Sequence, residues 1–378
     1  MVKRSIAVVR ALDVRIMMAE YASHFRSFQG YFVANYNQEV EKFLGNKKDI
    51  YKKIGLTPPY LIDPLSVLLG HSTHQSWITF EQKGLEEVLK GFDIFQLQES
   101  FFLYSGQVAG VAKKFNKPLV MAPWMLFDHP STYIPPYCLS VRKSIEQTDL
   151  FIMRTQMVEN YLSKFRIPAR KKVLIYHGVN IKRFYPRKEK TDDIVRILFV
   201  GRLDSSKGLD DILDIFPQLI KAIKGKVELI ICGKGELEKR VNAMAKSLPI
   251  RNLGYVSGTE LPDVYRKADI FCGPSKVGYF LGVKLWEEGF GFVFVEALAS
   301  GIPIVTYKTG AVEEAIGKDN YLLKEGDKEA LLKALVDLSN DSVLRRDIGI
   351  INRNRAINLY DLDKQILAEE KEFSKRFI

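Results

Sequence analysis

The sequence is poor in the groups that mark a disulfide scaffold, a metalloprotein or a membrane-spanning chain. Its 378 residues include three cysteines, Cys138, Cys232 and Cys272, far apart and without metal-ligand spacing. Neither a disulfide framework nor a zinc site is encoded, and the expectation is reduced thiols in a cytoplasmic protein, with Cys232 and Cys272 in apolar strands. Histidine is scarce as well, with five in all. His71 and His74 stand three apart, a spacing at which two ligands share a helix face. No third ligand or acidic partner lies near them in sequence, so a structural or acceptor-site role is expected. No run approaches the ~18 apolar residues of a transmembrane span. The start Met1-Val2-Lys3-Arg4 leads into a short apolar strand without a cleavage site, so no signal peptide is expected. No Asp-x-Asp pair follows a strand end; that spacing occurs at Asp361-Leu362-Asp363, where the last helix begins. The lysine pairs Lys47-Lys48 and Lys52-Lys53 lack an aromatic-interleaved basic helix, which speaks against nucleic acid. No internal repeat is visible.

What the chain does have is length for two cores, an ordinary balance of 47% hydrophobic and 27% charged residues, and a net charge of +11. That charge suits an anionic membrane surface or a phosphate-bearing substrate, or a merely soluble basic surface. Apolar strand-like runs at 5–9, 93–97, 119–122, 149–153 and 173–176 alternate with helical segments, and the same alternation resumes at 196–200, 227–232, 253–256, 268–271 and 302–305. Strands alternating with helices predict parallel βαβ units in two α/β domains. In such sheets ligands bind off the C-terminal strand ends, which places Glu99, Trp124 and His129 beside a site. The aromatic, proline-rich loop 124–137 is expected to bind an acceptor sugar or lipid. Between the domains, 187–193 is wholly polar and reads as a linker.

The stretch around which the rest is organised is Glu287-Glu288-Gly289-Phe290-Gly291-Phe292-Val293-Phe294-Val295-Glu296-Ala297-Leu298-Ala299-Ser300-Gly301. It reads as a glycine-hinged loop, then a short buried helix with one carboxylate, then a glycine stop. Burying Glu296 requires a hydrogen-bond partner. The two glycines admit a ligand close to the backbone, and the helix N-terminus favours an anion. Upstream, Gly201-Arg202-Leu203-Asp204-Ser205-Ser206-Lys207-Gly208 joins a strand to a helix and sets two cations beside another helix N-terminus, which is what a diphosphate needs. Gly233-Lys234-Gly235 is too short and general to be a phosphate loop unaided.

Glu288 and Glu296, seven residues between them and Gly-Phe-Gly directly after the first, resemble the acidic signature of the family-4 glycosyltransferases of GT-B architecture. The resemblance is nearly continuous from about 196 to 340. It implies two Rossmann-like parallel-sheet domains facing a central cleft: an acceptor-side domain at 1–180 plus a C-terminal helix crossing back at about 360–378, and a nucleotide-sugar-binding domain at 181–359. It further implies that Glu288 and the backbone of Gly289, Phe290 and Gly291 address the donor sugar, that Glu296 holds the ribose, and that Arg202 and Lys207 hold the diphosphate. Asn252 to Val256 would lie beside the base, and Thr309-Gly310 resembles the family's closing pattern. Where many relatives carry a glycine-rich turn after the first strand, this chain has Arg10-Ala11-Leu12-Asp13. Relatives often carry a histidine shortly after the strand at 119–122, for which His129 is the candidate here. His177 stands where asparagine is usual, and the loop 276–286 is longer than in many relatives.

The resulting expectation is a retaining, metal-independent hexosyltransferase without a cofactor. It would use a nucleotide sugar such as a UDP- or GDP-hexose and a sugar or lipid-linked acceptor, in the cytoplasm or peripheral at a membrane face. Rivals are another GT-B activity, a phosphorylase or epimerase, and a non-catalytic nucleotide-sugar-binding adaptor.

Overall fold

The computed structural model describes residues 3–10, 14–55, 84–189 and 192–378. The His71/His74 pair and residues 11–13 lie outside them. The chain divides into two compact units, residues 1–178 with 279–286 and 362–378, and residues 179–278 with 287–361.

The first unit is built on a seven-stranded parallel sheet. Its strands are β1 (Ser5–Arg10), β2 (Gln29–Asn35), β3 (Tyr51–Ile54), β4 (Ile94–Leu97), β5 (Leu119–Met121), β6 (Leu150–Met153) and β7 (Lys172–Leu174), in the order β3-β2-β1-β4-β5-β6-β7. Central strands β1, β4 and β5 are buried throughout their apolar runs, as a sheet covered by helices on both faces requires. Strand β3 carries two lysines among four residues and has no readable alternation; pairing with β2 makes it an edge strand.

The final helix, Leu362–Phe377, belongs to this unit and is tied into it by two carboxylates. Glu369 meets Arg154 at 2.6 Å, accepts from Gln96 Nε2 at 3.1 Å and from the Tyr21 hydroxyl. Glu370 accepts the backbone N–H groups of Arg26, Ser27 and Phe28 at 2.7, 2.7 and 3.1 Å. Asp363 bonds His24 and Arg26, so the Asp361-Leu362-Asp363 spacing serves helix docking. Ile366 and Phe373 are buried as their pattern requires, whereas Leu367 is half exposed. One residue turns a helix by ~100°, and the inward positions after Ile366 are taken by Glu369 and Glu370.

The second unit holds a six-stranded parallel sheet of β8 (Ile194–Val200), β9 (Lys226–Cys232), β10 (Ile250–Gly254), β11 (Ile270–Cys272), β14 (Ile304–Tyr307) and β15 (Tyr321–Leu323), ordered β10-β9-β8-β11-β14-β15. Its core packs Phe199, Leu213, Phe216, Leu229, Ile231 and Leu335 around the sheet. Cys232 and Cys272 are buried free thiols in it, and burial pushes Cys232 up to about 12. The long loop before Glu288 folds as a hairpin of β12 (Gly278–Phe280) and β13 (Val283–Trp286), turning at Leu281 and Gly282, both at positive φ. Residues 279–286, inside the span 181–359 by sequence, cluster with the first unit, where Lys284 lies over the Phe127 ring at 4.8 Å. These two parallel-sheet units are the α/β GT-B fold.

Candidate active site

In the second unit the side chains that the sequence singles out gather on the loops that leave β8 and β11 and on the helix Phe292–Ala299. Beyond β8, Asp204 accepts from the Lys207 backbone N–H at 3.1 Å and from Ser206 Oγ at 2.6 Å, winding Ser205–Lys207 into a tight turn. Gly208 follows at φ +69, where a side chain would strike the Pro274 carbonyl, and opens the helix Leu209–Ala222. The turn is thereby pressed against the loop beyond β11, and Lys207 reaches across it. Its Nζ lies 2.7 Å from Glu288 Oε2, which also accepts from Ser275 Oγ at 3.0 Å. Arg202, 40% exposed, leans on Asp204 at 3.1 Å and Ser206 at 3.0 Å, both from its own loop.

Glu288 is fixed from its backbone as well. Its carbonyl accepts from the Ala311 N–H at 3.0 Å, and Gly310, at φ +50, lies so near that carbonyl that a Cβ would stand 2.0 Å from it. This is the physical work of the Thr309-Gly310 turn. Gly291, at φ +68, then opens the helix Phe292–Ala299, while Phe290 is buried against Phe292 and Tyr360. The Gly233–Gly235 turn packs backbone to backbone on Gly201–Leu203: a Cβ at Gly233 would meet the Gly201 carbonyl at 1.8 Å. It braces the Arg202 loop and needs no phosphate to explain it.

Glu296, buried at 8% exposure in the helix, lies beside Tyr265, whose hydroxyl donates to the Val293 carbonyl at 3.1 Å. Burial first, and Glu296 second, hold the Tyr265 hydroxyl well above its ordinary range, so it stays a proton donor. Tyr265 and Ser275 are not among the site residues that the sequence singles out. Ser275 carries a signal, a hydroxyl directly past the end of a parallel strand; Tyr265 carries none. Tyr255, 58% exposed just beyond β10, offers an aromatic face at the same sheet edge.

The first unit holds its own polar group at the C-terminal strand ends. Arg10 donates to Gln98 Oε1 at 2.6 Å and lies over the Trp124 ring at 5.1 Å. Glu99 accepts the Trp124 backbone N–H; burial pushes its carboxyl up to about 8 against that bond and the Arg10 charge. His177 packs edge-on against Trp124 at 5.2 Å, and burial, with Arg154 and Arg10, lowers it well below the usual imidazole value. His129 is placed differently. It is 2% exposed, stacked on Phe101, and its Nδ1 accepts from the Ser131 N–H, capping the turn Pro130–Thr132. In this place the ring caps a turn, and the catalytic part expected of His129 stands as a proposal. Among the described residues no cluster of His, Cys, Asp or Glu is placed to hold a metal ion, and no helix is long and apolar enough to cross a membrane.

Residues 181–355 match the family described as glycosyl transferases group 1. Among curated proteins the chain is similar to the phosphatidyl-myo-inositol mannosyltransferase of Mycobacterium leprae, 34% identical over 186 residues, 46% of each chain. It is also similar to the GDP-mannose-dependent monoacylated alpha-(1-6)-phosphatidylinositol monomannoside mannosyltransferase of Corynebacterium glutamicum, 27% identical over 263 residues, 65% of this chain and 67% of that one. The chain thus spans about half to two thirds of the length of these relatives. Among solved structures, Alr3699/HepE of Anabaena in complex with UDP and glucose shares the fold, with a TM-score of 0.74 at 14% identity over 98% of this chain and 100% of the other.

Proposed function

We propose, from the match of residues 181–355 to the group 1 glycosyl transferases, that this GT-B chain is a retaining hexosyltransferase using a nucleoside-diphosphate sugar. The observation that carries the reading is the Lys207–Glu288–Ser275 group, held at 2.7 and 3.0 Å beside the Gly289–Gly291 backbone and the start of the helix Leu209–Ala222. Lys207, Arg202 and that helix terminus take the negative charge of the leaving diphosphate. Glu288 and the glycine loop orient the sugar and set a carboxylate near the developing oxocarbenium ion. Glu296, backed by Tyr265, holds the ribose hydroxyls, and Tyr255 supplies a face for the base.

Transfer forms the bond from the acceptor oxygen to the anomeric carbon on the face that the diphosphate leaves. The carbon–oxygen bond to the diphosphate breaks, and the acceptor proton passes to a diphosphate oxygen. No base from the protein is needed for that step. With cations already in place, catalysis proceeds without a metal ion.

For the acceptor we propose a lipid-linked alcohol at a membrane face, in keeping with the lipid acceptors in the relatives' names. Two features support it: most of the +11 net charge falls in the first unit, and the hairpin tip there exposes Tyr279, Phe280 and Leu281, the last at 89%. Anionic surfaces attract such charge with about 1 kcal/mol per basic residue near them.

A donor panel, GDP-mannose and UDP-glucose among others, read by thermal shift and then by product formation, tests the reading. Stabilisation that grows with the logarithm of donor concentration, together with transfer, is expected. Binding without turnover against any acceptor would leave an adaptor instead. Co-sedimentation with anionic vesicles at low salt tests the membrane face separately.

A further inference from the structure

The second unit contains a second recess, at the opposite edge of its sheet. A cavity of about 410 Å³ opens where β11 and β14 begin, and five arginines line it, Arg187, Arg266, Arg345, Arg346 and Arg353, against a single carboxylate, Asp269. The helix Ser342–Leu359 gives it one whole stripe, from Ser342 through Arg345, Arg346 and Gly349 to Arg353. The first turn of that helix therefore faces the cavity, adding the positive end of its dipole to the guanidinium charges.

Arg187, Arg266 and Arg346 each have a carboxylate partner, in Asp269, Asp263 and Asp347, and the charge left over is that of Arg345 and Arg353. Both oxygens of Asp269 are occupied, one by Arg187 and the other by the Arg196 backbone N–H at 2.8 Å. Arg345 and Arg353 donate to carbonyls, at Ser339 and Ala299 among others, which satisfies donors without cancelling charge. Burial, with Arg187 beside it, holds Arg345 below its ordinary value. Arg346 has Asp347, its chain neighbour, at 3.2 Å, and both side chains are mostly exposed.

Ser300 makes the recess a built site. It caps the helix Phe292–Ala299, is 2% exposed and lines the cavity, and its hydroxyl has no hydrogen-bond partner in the protein. A buried donor left unmade costs free energy unless a ligand or water satisfies it. Pro186, Ile302 and Pro303 form an apolar wall beside it.

We propose that this cavity binds a small phosphorylated metabolite. Its phosphomonoester would meet Arg187, Arg345, Arg346 and the Ser300 hydroxyl, and a sugar-sized body would lie on Ile302 and Pro303. The site is separate from the donor loops. β11 begins just after Asp269 and leads towards Ser275, and the helix Phe292–Ala299, about 12 Å long, stands between Gly291 and Ser300. A ligand here acts on elements that hold the donor loop.

The test is calorimetric titration of the full chain with a hexose monophosphate and with inorganic phosphate, for wild type, Ser300→Ala, Arg346→Gln and Lys207→Ala. Ser300→Ala removes a hydroxyl that bonds nothing, and Arg346 is a surface side chain, so neither change threatens folding. Saturable binding is expected in wild type and Lys207→Ala, tighter for the hexose monophosphate. It should weaken roughly tenfold in Ser300→Ala and in Arg346→Gln, the loss of a hydrogen bond to a charged group. Loss in Lys207→Ala with no change in the other two variants would assign the phosphate to the donor loops and overturn the proposal. So would an absence of saturable binding to wild type up to about 10 mM.

Discussion

Two ion pairs of nearly equal length stand in different surroundings in this molecule. Arg154 and Glu369 in the first unit meet at 2.6 Å with side chains 3% and 0% exposed; Lys207 and Glu288 in the second meet at 2.7 Å with 21% and 11%. The first is sealed among side chains: burial draws the guanidinium down, yet Glu369 and Tyr21 outweigh it and hold Arg154 above its ordinary value. The second pair is bordered by the Ser275 hydroxyl, glycine backbone and a helix terminus. Distance does not distinguish the two pairs; residual access to solvent and open backbone beside the second do.

Breaking the first pair should give the largest effect on folding. Glu369→Ala leaves Arg154 buried and uncompensated, a loss of about 3 to 5 kcal/mol, visible as a lower urea midpoint. A variant as stable as wild type would show that the pair is dispensable. Breaking the second should spare the fold and strike turnover. Lys207→Ala is expected to lower transfer by about two orders of magnitude, the cost of taking one charge-assisted hydrogen bond from the transition state. Arg202→Ala should cost less, because Arg202 already leans on Asp204 and Ser206 and stands more open to water. Near-normal transfer in Lys207→Ala would remove the phosphate assignment.

Glu296→Gln and Glu288→Gln sharpen the comparison within one loop. The first should weaken binding of free nucleotide, and the second chiefly the rate of transfer; equal losses of nucleotide affinity would contradict the division. The smallest expected effect is a pH dependence in the first unit. Glu99, pushed up to about 8, is held above its unfolded value. Its contribution to stability is therefore complete below the usual carboxylate range and is lost as pH rises through about 8. Urea midpoints between pH 5 and 9 should fall for wild type and fall less for Glu99→Gln; identical slopes would place the titration elsewhere.

The donor side proposed above can be read from the sequence because its residues are local. Glu288, the Gly-Phe-Gly step and Glu296 lie in one short stretch, and Arg202 and Lys207 share one turn. That Lys207 closes on Glu288, across 81 residues, needs the fold. Tyr265 is invisible for the same reason, being an aromatic residue in an amphipathic helix whose periodicity tells which face is buried and not what the hydroxyl meets. The last helix shows the limit most plainly. An apolar stripe through Ile366 and Phe373 predicts a docked helix, but the same pattern treats Glu369 and Glu370 as solvent-facing, while both are buried. For His129 the position after a strand suggests chemistry, and that the ring caps a turn is a contact the sequence does not show.

The tie between Arg154 and Glu369 also orders events during synthesis. The two residues are 215 positions apart, and the whole of the second unit lies between them. While the ribosome is still making that intervening chain, Arg154, Tyr21 and Gln96 surround a carboxylate that does not yet exist, and the N–H groups of Arg26, Ser27 and Phe28 await theirs. The later-made unit can close on its own core first; the earlier one is finished last, when the final helix emerges.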